Sequence, residues 1–420
     1  MSLRPRSRRD WGRLDMNYKT YPIADLIDEI AMGPFGSNIK VDCFVDKGIP
    51  VLNGSNLEGF ELSEKSFRYV TEEKADSLKK ANAYKGDVVI THRGTLGQIV
   101  YIPQTAQRDR YVISQSQFRV KCNKKVLPEY FVYYFHTPIG QHKLLSNASQ
   151  VGVPALARPS STFQKIEIEI PDLETQRKVV KLIGSLQTRI KTNAEINDNL
   201  QQQAAAIFRS WFVDYVPFGG TVPDEWKNVT LEDITTLVSR GITPKYADDT
   251  GQIVINQKCI RNHMIDLSFA RSHRPKVINN KWLQFGDLLI NSTGDGTLGR
   301  AAQVWFQPHN LTVDSHVTIV RPAAENMIFY IGLWGTQHEK EIESLHTGST
   351  GQTELPRDRV KAIELLLPDK ETLERFNALI APMAAAIVSN QEENNRLASI
   401  RDALLPKLMS GKIDVSAIQL

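Results

Sequence analysis

The chain of 420 residues has only three cysteines, Cys43, Cys122 and Cys259, and no two form a C-x-x-C pair. Neither a zinc ribbon nor a disulfide framework is supported, and a reducing cytoplasm is the expected setting. No run approaches the ~18 consecutive apolar residues of a membrane span. The nine histidines are scattered, with no H-x-x-x-H or other metal spacing. No glycine-rich loop closing in Gly-Lys-Ser or Gly-Lys-Thr occurs, so a nucleoside-triphosphate cradle is unsupported. The short Asn/Asp-Pro-Pro-aromatic motif of an adenine methyltransferase is missing too. Charge of one sign is also scarce. The net charge of +4 is weaker than many nucleic-acid binders carry. Any surface for a polyanion must come from local segregation.

What is present is ordinary globular composition, 41% apolar and 23% charged. The length allows about two to three domains, each with its own core. Arg4, Arg6, Arg8, Arg9 and Arg13 crowd a start without apolar periodicity. That stretch reads as a leader upstream of Met16, with a basic arm on nucleic acid as the alternative. No apolar h-region of a secretory signal follows it.

The dominant feature is duplication. Gly86-Asp87-Val88-Val89-Ile90 returns as Gly286-Asp287-Leu288-Leu289-Ile290, and Gly94-Thr95-Leu96-Gly97 returns unchanged as Gly296-Thr297-Leu298-Gly299. Ile170-Pro171-Asp172-Leu173-Glu174-Thr175 returns as Leu367-Pro368-Asp369-Lys370-Glu371-Thr372. Solenoid units repeat every ~20–50 residues; this repeat of about 200 is a whole domain plus a helix. An internal pseudo-two-fold relation follows, and two diverged copies suit a target with two unlike halves.

Short β-branched runs bounded by Gly, Asn and Ser predict strands at 49–52 and 253–255, 86–90 and 286–290, 117–120 and 316–320. Helices are expected over 128–137 and 326–336. Each copy is thus mixed α and β. Each closes in a long helix whose apolar positions step by fours and threes, the ~3.5 period of a coiled-coil seam. The seam residues are Ile183, Leu186, Ile190, Asn193, Leu200 and Ile207 in the first copy. In the second they are Ile380, Met383, Ile387, Asn390, Leu397 and Leu404. Asp172 and Asp369 stand at the N-caps, a better account of these acids than a nuclease carboxylate motif. Each run spans about 40 residues, roughly 60 Å as helix, with Pro382 a source of kinking. Asn193, Asn197, Asn390 and Asn394 fall on the stripe, either to set register or, after local rotation, to face water.

Three loop pairs mix glycine with Ser, Thr, Asn, Gln and Arg at matching places. Glycine lets backbone approach a phosphate, while Arg, Asn and Gln make bidentate contacts to base edges and Lys, Ser and Thr position on phosphates. The first pair offers Ser37, Asn38 and Lys40, with Arg240, Thr243 and Lys245. The second offers His92, Arg93 and Thr95, with Ser292, Thr293 and Arg300. The third offers Gln150 and Arg158, with Thr350, Gln352 and Arg357. Taken singly, each is also what an ordinary turn looks like. No catalytic residue and no metal ligand is assigned.

With these residues in view the chain resembles the specificity subunits of type I restriction–modification systems. The carriers are the duplicated plan, Pro171–Arg177 at the central helix start, Ile207–Tyr215 at its end, Val222–Trp226 at the second domain's entry and Leu404–Ile413 at the close. Lys370 and Leu373 depart from the pattern that Leu173 and Gln176 show in the first copy. The resemblance implies a duplicated α/β (α+β) fold: two globular target-recognition domains at opposite ends of two long antiparallel coiled-coil helices. The expected divisions are a leader at 1–16, a first recognition domain at 17–170 and a central helix at 171–216. A second recognition domain at 217–367, a C-terminal helix at 368–412 and a tail at 413–420 complete the chain. It also implies a non-catalytic DNA reader of a bipartite, asymmetric double-stranded target. No cofactor would sit on this chain. Two modification subunits would bring S-adenosylmethionine, and restriction subunits would bring ATP and Mg2+, in a bacterial or archaeal cytoplasm. The alternatives are a stand-alone DNA methyltransferase or nuclease with fused recognition domains, and a scaffold that binds only protein.

Overall fold

A computed structural model describes residues 18–34, 38–149, 152–248, 250–348 and 353–415. The content is mixed α and β, in two compact units. The first takes the chain through Ile190 and again from Asn395; the second is Lys191–Asn394.

In the first unit the apolar run after Gly86 becomes the strand Asp87–Thr91, buried along its whole length. It lies between Gln117–Cys122 and Ile99–Tyr101, and Ile27–Met32 flanks Gln117–Cys122, all antiparallel. A strand buried on both faces carries a continuous β-branched run, which is what Val88, Val89 and Ile90 supply. A second sheet orders Arg68–Val70, Ile49–Val51, Arg110–Val112 and Asn82–Tyr84. The ladder Lys19–Pro22 with Glu167–Ile170 ties the two ends of this region together.

The second unit repeats the order. Thr235–Arg240, Val317–Pro322, Leu288–Asn291 and Ala301–Gln303 form its four-stranded sheet. Arg271–Ser272, Ile253–Ile255 and Leu311–Val313 form the next, and Lys227–Thr230 pairs with Glu364–Leu367.

The repeated Gly-Asp has a structural cause. Gly86 and Gly286 sit at φ +90° and +89°, a backbone conformation open to glycine. Asp87 accepts from the Tyr84 amide and is buried against Arg119; Asp287 accepts from the Gln284 amide and takes a bidentate pair of 2.8 Å bonds from Arg321. Burial pushes both carboxyls up, against the pull of those hydrogen bonds and guanidinium charges.

The two long helices are Leu173–Phe212 and Lys370–Met409, each continuous over 40 residues, the second running through Pro382. Asp172 and Asp369 accept from the Thr175 and Thr372 amides, both at 2.9 Å, as N-caps do. In the first unit Val179, Ile183, Leu405 and Leu408 share a core with Phe118, Tyr130, Phe131 and Phe163. In the second, Ala204, Phe208, Phe376 and Ile380 share one with Leu288, Tyr330 and Leu333. Part of the stripe on each helix therefore packs as core.

Within the second unit the helices run antiparallel, and the asparagines turn inward. Asn193 Nδ2 donates to Asn394 Oδ1 at 2.9 Å, and Asn390 Nδ2 donates to Asn197 Oδ1 at 2.8 Å. Asn193 and Asn197 are buried. Ile183, Ile380 and Ile387 are also buried, whereas Leu186, Ile190, Leu200, Ile207, Met383, Leu397 and Leu404 are half-buried.

Candidate nucleic-acid interface

Antiparallel pairing decides which loops meet. In the first unit the strand ending at Met32, the strand ending at Thr91 and the strand beginning at Gln117 put their loops at one edge of the sheet. Gly33 N donates to Gln117 O at 2.8 Å and His92 N to Ser116 O at 2.9 Å. A Cβ on Gly33 would lie 1.9 Å from the Ser114 carbonyl oxygen, so only glycine permits this approach. The third loop docks beside the second: Arg93 bridges Ala155, Gly94 N donates to Pro154 O and Leu156 N to His92 O, both at 2.9 Å.

The second unit builds the same edge from a different sequence. Gly241 N donates to Val317 O at 3.0 Å, and its Cβ would meet Val313 O at 2.0 Å. Ser292 N donates to His316 O and Leu355 N to Ser292 O, both at 2.8 Å, and Thr293 bridges Glu354. In each unit the loops singled out in pairs thus converge.

The candidate side chains do not all face outward. Asn38, Lys40, Arg93, Thr95 and Arg158 are exposed in the first unit, as are Thr243, Lys245, Arg300 and Arg357 in the second. His92 is half-buried with Nε2 3.1 Å from Gln115 O; burial first, and Arg93 in addition, hold its imidazole below the ordinary range. Thr293 Oγ1 lies 2.7 Å from His316 Nδ1. Arg240 is committed internally, to Glu354 as an ion pair and to Leu355 O at 2.8 Å. Ser292 is buried with its hydroxyl on Thr318 Oγ1 at 2.5 Å. These two hold the loops rather than face a ligand. Among the described residues no hydrogen bond or bridge joins Asn38 or Lys40 to the other two loops. Ser37, Gln150, Thr350 and Gln352 lie outside the described residues.

The edge also contains residues that the loop pairing passed over. The turns Ser114–Ser116 and Asp314–His316 stand between the first and second loops in each unit. Gln98 accepts from Thr91 Oγ1 at 3.0 Å and donates to Gly54 O at 2.9 Å, and Asn291 donates to Gln257 O at 3.1 Å. A polar triplet directly before an apolar strand, at the same place in both copies, was the available signal. An edge of exposed arginine, lysine, threonine and asparagine on a rigid sheet can donate to phosphates and base edges alike. Among the described residues no three His, Cys, Asp or Glu are grouped to hold a metal ion, and no helix is long and apolar enough to cross a membrane.

Residues 19–202 match the family model described as the type I restriction modification DNA specificity domain. That match covers the first recognition region and most of the long helix that follows it. It is 24% identical to the type I restriction enzyme MjaIX specificity subunit of Methanocaldococcus jannaschii, over 97% of this chain and 96% of that protein. It is also 24% identical to the HindI specificity subunit of Haemophilus influenzae, over 78% and 87% respectively. The crystal structure of a type I restriction–modification S subunit from M. genitalium has the same fold, with TM-score 0.56 at 14% identity over 94% of this chain and 96% of that one.

Proposed function

We propose that this chain is the sequence-reading, non-catalytic subunit of a type I restriction–modification complex. Residues 17–170 and 217–367 are its two recognition domains, each reading one half of a bipartite, asymmetric duplex target. The helices within 171–216 and 368–412 join them and dock the modification subunits. The carrying observation is the sheet edge on which three loops converge by the same backbone bonds in both units, with different side chains presented in each. A common scaffold with divergent loops is how one fold reads two sequences.

The asparagine pairs repeat one bond within the second unit. Asn193 and Asn390 are equivalent in the repeat, as are Asn197 and Asn394, so the bond from Asn193 to Asn394 maps onto the bond from Asn390 to Asn197. Exposed Asn38, Lys40, Arg93, Thr95, Arg158, Thr243, Lys245, Arg300 and Arg357 are the proposed DNA contacts. S-adenosylmethionine belongs on two modification subunits, and ATP with Mg2+ on restriction subunits.

The test is methylation mapping by long-read sequencing in cells with and without this gene. A two-part adenine-methylated motif should vanish on deletion, and the purified chain alone should neither methylate nor cut DNA. Turnover by the chain alone would overturn the assignment.

A further inference from the structure

The duplication makes each unit a control for the other. Lys79 and Asn279 are equivalent: both are left-handed, at φ +44° and +50°, and the carbonyl of the next residue accepts from the buried arginine, Arg119 to Lys80 O and Arg321 to Asn280 O. One residue on, the first unit has Ala81, 3% exposed. The second has Lys281, half-buried, with Nζ donating to Gly241 O at 3.1 Å, at the base of the first loop. Five residues earlier in sequence the first unit has Asp76, paired with Arg110 at 2.7 Å, and the second has Lys276, exposed. Asp76 and Ala81 thus stand opposite two lysines, while the first unit's Lys79 and Lys80 stand opposite Asn279 and Asn280.

Other cations are fastened beside them. Arg274 N donates to Lys245 O at 2.8 Å, and Lys276 N donates to Gln252 Oε1 at 3.0 Å, while Gln252 Nε2 returns to Lys276 O at 3.3 Å. The Arg271 guanidinium lies 3.6 Å over the Tyr246 ring, on the same pair of segments. Burial first, then the charges of Lys276 and Arg357, hold the Lys281 ammonium below its ordinary range. Among the described residues neither Lys276 nor Lys281 forms a salt bridge with a carboxylate. Like charges gathered without counter-charge oppose folding, and a polyanion relieves them.

We infer that Lys276 and Lys281, with Lys245, Arg274 and Arg357 around them, form a strap that grips the backbone phosphates of duplex DNA in the second unit. The strap rests on the DNA-reading assignment and divides its labour. Lysine is a compact point charge, suited to a phosphate and poor at bidentate readout of a base. The strap holds the duplex, and the second unit's sequence preference comes from other residues of the edge.

The test uses the full-length chain assembled with its modification subunits, titrated with mixed-sequence duplex DNA at several salt concentrations. Lys276→Gln is combined with Lys281→Ala, the latter restoring the residue that the first unit accommodates. Each lost phosphate contact lowers the slope of log affinity against log salt by ~0.9, so the affinity lost between about 50 and 200 mM salt should shrink by about tenfold. The methylated motif should stay the same. An unchanged slope, with DNA binding still salt-dependent, overturns the strap and leaves the DNA reader standing. A changed motif overturns the assignment to phosphate. No salt-dependent binding by the unaltered complex overturns the DNA-reading assignment itself.

Discussion

At the scale of single residues, exposure and commitment separate readers from supports. Arg93 is exposed with its backbone bridged to Ala155, and Arg300 is exposed with one bond to Gly296 O at 2.8 Å. Arg93→Ala and Arg300→Ala should each weaken DNA binding by the assembled complex by about 1–3 kcal/mol where they reach a base. Equilibrium titration checks this, and unchanged affinity for both removes that loop pair from the interface. His136 makes a different prediction. Its Nε2 lies 2.8 Å from Ile99 O, and burial first, with Arg401 adding, holds the imidazole below the ordinary range. The unfolded chain takes up a proton near the usual histidine value of ~6.5 that the folded chain does not. Stability is therefore full above that value and declines as pH falls through it. His136→Gln should flatten part of that decline, seen as a smaller difference in melting temperature between pH 8 and pH 6 than the unaltered chain shows.

At the scale of elements, the buried Asp–Arg pair keys each four-stranded sheet to its neighbouring segment. Arg321 bonds Asp287 twice and also donates to Asn280 O and Trp282 O, at 3.0 and 2.7 Å. Asp287→Ala leaves a guanidinium side chain only 11% exposed without its partner. A loss of about 3–5 kcal/mol is expected, measured by denaturant unfolding. Because Asn279–Lys281 hangs from the same arginine, the strap should loosen with it. The helices show why Gln176 and Leu373 differ. Gln176 accepts from Leu127 N and donates to Lys125 O and Pro171 O, whereas Leu373 is core in the second unit. One position does polar anchoring in one copy and apolar packing in the other.

At the scale of the whole molecule, two readers should be separable. Exchanging the loops of residues 17–170 for those of a relative should change one half of the methylated motif and leave the other, as read by methylation mapping. Simultaneous change of both halves would refute two independent readers. On the proposed arrangement the helices act as a ruler for the gap. Four residues inserted after Asn199 add about one turn, ~5.4 Å, and should lengthen the unread gap without altering either half-site. The insertion also shifts the heptad register, so loss of folding or subunit assembly is the competing result. A well-folded active variant that keeps the original gap would exclude the ruler.

Much of this architecture could be read from local pattern. The strand at 253–255, the strands after Gly86 and Gly286 and both helix N-caps lie where β-branched runs, turn residues and capping acids put them. Those signals act over a few residues and survive without knowledge of the fold. Along the 3.5-residue stripe Asn193 and Asn197 are buried, while Leu186, Ile190 and Leu200 are half-buried. The proposed interface was legible only as a set of loops. Arg240 pairs with Glu354 and Ser292 bonds Thr318, while no glycine-rich pattern marks the turns at 114–116 and 314–316 or the lysines at 276 and 281. By itself the sequence determined the duplication, the elements and the supply of DNA-suited side chains. Only the tertiary structure decided which of them share an edge and which are spent inside it. Strand order and register join residues far apart in the chain, and no local pattern encodes those pairings.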